Sequence, residues 1–132
     1  MNPIHPAIKA IRAVKWSGDP ASSCAPVRFE CHVEIGEAGV AGVEGVDYFN
    51  LTVVNPAWAQ VHLEATPETS PVWLAPRATL QLDTPSFQGI ADCVAVEIAA
   101  MGPYPTWPEF ARRLGPYLRW NLEGVPYPPF IS

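Results

Sequence analysis

Residues 27–35 read VRFECHVEI. Val27, Phe29, Cys31, Val33 and Ile35 alternate with Arg28, Glu30, His32 and Glu34, and a period of two sends each set to its own face of a β-strand. One face meets a core and the other meets water or a partner. Before this strand, SGDPASSCAP (Ser17–Pro26) is turn chemistry punctuated by Gly18, Asp19-Pro20 and Pro26. Further upstream AIKAIRAVKW (Ala7–Trp16) reads as a strand, although its alternation is imperfect. After it, the glycine-rich GEAGVAGVEG (Gly36–Gly45) leads into a second alternating run, Val46–Val54, so the two strands form an antiparallel hairpin. That run stops at Asn55-Pro56, because proline lacks the N–H that a ladder needs and restricts the residue before it. Trp58 follows at once and is expected to tuck back as a packing anchor.

A proline-spaced region comes next, with a short strand expected at Val61–Leu63 and a better one at Ala78–Leu82. From Ser86 the period changes. Phe87, Ile90, Ala91, Val94, Ile98 and Met101 recur at spacings of three and four, which predicts a helix capped by Ser86 and ended by Gly102-Pro103. TWPEFARRL predicts a second helix, with Thr106 and Glu109 as a capping box and Pro108 in the first turn. YLRWNLE (Tyr117–Glu123) alternates again and reads as a last strand. Strands followed by helices predict an α+β fold: an antiparallel or mixed sheet with two helices packed on one face, in the order strands, helix, helix, strand. The chain of 132 residues, 48% apolar, is expected to form a single domain over residues 1–132, with 124–132 an extended tail.

Composition narrows the function. The longest apolar stretch, Ile90–Met101, is interrupted by Asp92 and Glu97 and is too short for a bilayer, and MNPIHPAIKA has no apolar signal region, so a cytoplasmic protein with no membrane role is expected. A formal net charge of −5 repels phosphate backbones, so no direct nucleic-acid partner is expected, whereas a basic protein would be attracted. Cys24, Cys31 and Cys93 form no CxxC pair and no His-x3-His partner accompanies Cys31-His32, so no metal and no cofactor is assigned.

His32 between Glu30 and Glu34 could pair a base with its orienting carboxylate. No serine or cysteine nucleophile sits on a recognisable turn, however, and Cys31 points to the apolar side. The chain therefore reads as no enzyme, with no catalytic residues. The polar strand face carrying Arg28, Glu30, His32 and Glu34, joined by Tyr48, Asn50 and Thr52 of the next strand, stays open. Five tryptophans stand out, and Trp107 and Trp120 are placed to pin a helix to the sheet.

Two composite motifs carry a resemblance: Phe49-x-Leu-x-Val-x-Asn-Pro-Ala-Trp58, and Trp107-Pro-Glu-Phe-Ala-Arg-Arg-Leu114 followed by Trp120-x-Leu-Glu123. With the strand ending at Ile35-Gly36 and the helix from Ser86, they make the chain resemble the immunity protein 8 family of bacterial polymorphic toxin systems. The resemblance implies a non-enzymatic α+β protein that binds and neutralises a cognate toxin protein without saying what the toxin attacks, and separately the acidic charge would suit a basic nuclease toxin. Glu30, His32, Glu34 and Tyr48 are the expected toxin-binding residues, with the loop around Glu37 and Glu44 as the alternative surface. Two other readings stay open: a small-molecule-binding protein or enzyme with a cleft between helices and sheet, and a homodimer built on the exposed strands.

Overall fold

The computed structural model describes residues 3–17, 25–38, 46–63, 70–74 and 78–121. Residues 39–45 of the glycine loop with Glu44, Cys24, Leu122-Glu123 and the expected tail 124–132 lie outside the described residues. Three strands come first: β1 (Pro6–Ser17), β2 (Arg28–Glu37) and β3 (Asp47–Val54). A helix α1 (Pro56–His62) follows, then β4 (Val72–Leu74) and β5 (Thr79–Gln81), helices α2 (Phe87–Met101) and α3 (Trp107–Leu114), and a two-residue β6 (Arg119–Trp120). The fold is α+β with a six-stranded mixed sheet ordered β1-β2-β3-β5-β4, β6 also pairing with β3. β1, β2 and β3 are antiparallel to their neighbours in that order, while β5 runs parallel to β3.

The expected order of strands, two helices and a strand therefore needs correction, because a third helix interrupts the strands. Asn55-Pro56 does more than stop β3. The Asn55 side-chain oxygen accepts the Trp58 N–H at 3.0 Å as an N-cap, and Pro56 enters the first turn, where its missing N–H costs nothing. Val61 and His62 thus belong to a helix, and the strand expected at Val61–Leu63 does not form there. The same side-chain oxygen accepts the Val27 N–H at 2.9 Å, and the Asn55 amide donates to the Ala25 carbonyl at 2.8 Å. One buried side chain starts α1 and fixes the approach to β2. Trp58 is half-buried rather than tucked into the core: it stacks on His62 at 4.3 Å and lies under the Arg28 guanidinium at 5.9 Å. Since Arg28 points outward from β2, these contacts set α1 beside the outward face of the sheet.

The inward face follows the alternation. Val27, Phe29, Cys31, Val33 and Ile35 are buried with Phe49, Leu51, Val53 and Leu80, and α2 and α3 bring Ile90, Val94, Phe110, Ala111 and Leu114 into the same cluster. Each fully buried side chain of this kind contributes about 1.5–3 kcal/mol. Burial pushes the Cys31 thiol up to about 12, as befits a structural thiol. Phe110 sits at the centre of an aromatic group, 5.8 Å from Phe49, 4.9 Å from Tyr104 and 5.0 Å from Trp107. Phe87, expected on the inner stripe of α2, is exposed at the first turn.

Both long helices start as their caps predict: Ser86 Oγ accepts the Gly89 N–H at 3.0 Å, and Thr106 Oγ1 accepts the Glu109 N–H at 3.3 Å. The Glu109 carboxylate is taken up by Arg112 and Arg113 instead of completing a capping box. Arg113 in turn donates to the carbonyls of Met101 and Pro103 at 3.0 and 2.7 Å, closing the end of α2 against α3. Trp107 and Trp120 pin α3 and β6 to the sheet as expected, both indole N–H groups donating to Asp47 at the start of β3.

Candidate functional site

The outward face of β1, β2 and β3 is laid out by register. Ala10, Glu34 and Tyr48 form one row; Arg12, His32 and Asn50 the next; Lys15, Glu30 and Thr52 a third. Asn50 continues its row to Arg119 of β6, and Thr52 continues its row to Thr79 of β5. The register of β1 against β2 shifts between Ile8 and Ala10 and again between Ala13 and Lys15, so Lys9 and Val14 are extra residues, which accounts for the imperfect alternation of this segment. A bulge re-aims its side chain, and Val14 stands 56% exposed.

The other edge of β3 changes partner halfway along. Phe49 and Asn50 pair with β6, whereas Thr52, Val53 and Val54 pair with β5. At this junction lies a concavity of ≈ 430 Å³ whose lining includes Val14, Glu30, His32, Asn50, Thr52, Thr79 and Arg119. Its wall is built on an unusual residue: Ala78 has φ 63°, left-handed backbone that a side chain disfavours, and its carbonyl accepts the Thr52 N–H at 2.8 Å. Such strain costs on the order of 1–2 kcal/mol and persists where the surroundings over-determine it.

Glu30, His32, Glu34 and Tyr48 do share this face, and the His32 and Tyr48 rings lie 6.1 Å apart. Their exposure differs. Tyr48 is exposed and Glu30 and His32 are half-buried, but Glu34 is 2% exposed, so its expected place at the solvent surface is corrected. Arg12 donates to it through Nε at 2.5 Å, and the guanidinium rather than the carboxylate meets solvent. Glu30 pairs with Arg28 at 3.3 Å. The face is consequently of mixed charge instead of acidic. Val14, Thr79 and Arg119 were not singled out by the alternating pattern: Val14 depends on a bulge, and the other two reach the face from strands of two and three residues.

On the opposite side, a larger and mostly apolar concavity of ≈ 590 Å³ runs between the start of β1 and α2, lined by Ile4, Ile8, Ala91, Ala95, Ile98 and Tyr104 among others. Glu37, on the alternative surface, accepts the His5 N–H at 3.1 Å. Among the described residues no group of three or more His, Cys, Asp or Glu side chains is placed to hold a metal ion, and no helix is long and apolar enough to cross a membrane.

No curated protein and no solved structure matches the chain. The family model described as Immunity protein 8 matches residues 9–124, a span that holds most of the bulged β1, the outward face and both tryptophan motifs, and the chain belongs to that family.

Proposed function

We propose that the protein is an immunity protein that binds a cognate bacterial toxin domain through the outward face of β1, β2 and β3, and neutralises it by covering the toxin's active site or substrate surface. The family match over residues 9–124 carries this reading. Support for the face comes from its composition: α2 and α3 take the inward side, and outward Tyr48 and Val14 present exposed apolar surface on either side of His32 and Glu30. A tyrosine beside polar groups is typical of interface anchors. The protein acts in the cytoplasm and without catalysis. Both carboxylates flanking His32 are committed to arginines, Glu30 to Arg28 and Glu34 to Arg12, which leaves neither to orient the imidazole as a general base. Core side chains fill the centre of the interface between helices and sheet, and the concavity at its margin between β1 and α2 is mostly apolar, which weighs against a catalytic cleft there. The net charge of −5 suits a basic nuclease toxin, acting as long-range steering since the face itself is mixed.

Coexpression with the product of the adjacent reading frame tests both parts. The wild-type chain should rescue growth and copurify with that product, and Val14→Asp with Tyr48→Ala should weaken the complex tenfold or more while leaving the circular dichroism spectrum intact. Full binding by the double variant removes this face; failure of the wild type with every adjacent product removes the immunity reading.

A further inference from the structure

The junction where β3 changes partner gathers hydrogen-bonding groups that the protein does not use on itself. Among the described residues, the side chains of His32, Asn50, Thr52, Thr79 and Arg119 make no hydrogen bond or ion pair to another protein group. Four of them lie in two adjacent rows, Asn50 beside Arg119 and Thr52 beside Thr79, and all five line the same ≈ 430 Å³ concavity. Unused polar groups converging on a preformed concavity are the arrangement by which a site fixes a ligand's orientation. Asn50, Thr52, Thr79 and His32 can donate or accept, and the fixed positive charge of Arg119 tips the set towards an anion. Arg119 offers a planar fork of N–H donors, the Asn50 amide adds two more, and the hydroxyls of Thr52 and Thr79 can donate. The acidic lining residue, Glu30, is paired with Arg28 at 3.3 Å.

We infer that this concavity is a socket for a carboxylate, and that its occupant is an aspartate or glutamate side chain of the protein partner. Arg119 grips the carboxylate and Asn50, Thr52 and Thr79 complete its hydrogen bonds. The identity of the occupant as a toxin side chain rests on the proposed function; the socket's chemistry does not. A polyphosphate chain is the less fitting anion, because a net charge of −5 repels it.

Amide spectra of the isotopically labelled full chain, recorded at constant ionic strength, provide the test. Sodium acetate should shift residues 32, 50, 52, 79 and 119 with a midpoint on the order of 10–100 mM, while methylammonium chloride should leave them unmoved. Arg119→Gln should weaken acetate binding at least tenfold, and Asn50→Asp, which sets a carboxylate in the socket, should abolish it; retained dispersion of the remaining peaks reports that both variants fold. Shifts spread evenly over all arginines, saturation by methylammonium, or saturation by a single-stranded oligonucleotide with no response to acetate would each overturn the proposal. The two readings fail separately: acetate binding without rescue by the wild type removes the toxin, and rescue unaffected by Arg119→Gln without acetate binding removes the socket.

Discussion

Trp107 on α3 and Trp120 on β6 share one acceptor, the same carboxylate oxygen of Asp47, with the Trp120 bond at 3.1 Å. These residues lie 60 and 73 positions from Asp47, so a single carboxylate holds together the first residue of β3 and the last two elements of the chain. Truncation to Ala removes the acceptor of both indole N–H bonds. At roughly 1.5–3 kcal/mol for each lost bond to a charged acceptor, Asp47→Ala should lose about 3–6 kcal/mol in urea unfolding. In a double-mutant cycle, Trp107→Phe and Trp120→Phe should each couple to it, and additive effects would show that the bonds contribute little.

Glu34 and Glu30 contribute differently to the stability of the outward face. The Glu34 carboxylate is buried under Arg12, whose own side chain is 67% exposed. Arg12→Ala should cost about 1–2 kcal/mol, below the loss for a fully buried pair because water can reach the vacated position. Glu34→Lys buries an ammonium opposite that arginine and should cost more than about 3 kcal/mol, whereas Glu30→Lys on the half-exposed neighbour should leave the unfolding midpoint nearly unchanged. Equal midpoints for the two reversals would contradict the burial.

Asn55 closes three hydrogen bonds at once. Its N-cap alone is worth about 1 kcal/mol, and the Val27 N–H and Ala25 carbonyl each lose a partner in Asn55→Ala. A destabilisation of about 3 kcal/mol or more should appear in thermal and urea unfolding. Asn55→Asp keeps the oxygen that accepts from Val27 and Trp58 and should lose less; an aspartate variant as weak as the alanine one would place the main contribution in the Ala25 bond.

Acid should weaken the α3 end of the molecule. The Arg112 hydrogen bond, helped by Arg113, holds the Glu109 carboxyl down to about 2 from its ordinary 4.5. The folded value lies below the unfolded one, so the contribution is complete above about 4.5 and is lost as pH falls towards about 2. Wild-type stability should therefore fall more steeply than that of Glu109→Gln across this window, followed by circular dichroism. Parallel curves would show that the exposed cluster is screened.

Much of the scaffold is legible in the chain because it obeys simple periods. β2 and the later helices follow spacings of two and of three to four, and Ser86 and Thr106 mark helix starts with their own oxygens. What escaped depends on relations between distant segments. Asn55-Pro56 ends a strand and also begins a helix, and which of these governs Val61 and His62 is settled by the bonds from Asn55 to Val27 and Ala25. Alternation places Glu34 on the outward face but is silent about Arg12 lying over it. The socket is hardest of all to read, since Arg119, Thr79 and Asn50 meet only because β6 and β5 divide one edge of β3 between them.

β1 forms one margin of the sheet, and its two bulges have a second effect. A strand from another copy aligning along that margin would fall out of step at Lys9 and again at Val14, leaving the short run Ala10–Ala13 for an unbroken ladder. Interrupted edges discourage indiscriminate strand addition and the fibres it seeds. The kink that turns Val14 outward thus also breaks the regular ladder of this margin, so one local irregularity shapes both the face and the edge of the sheet.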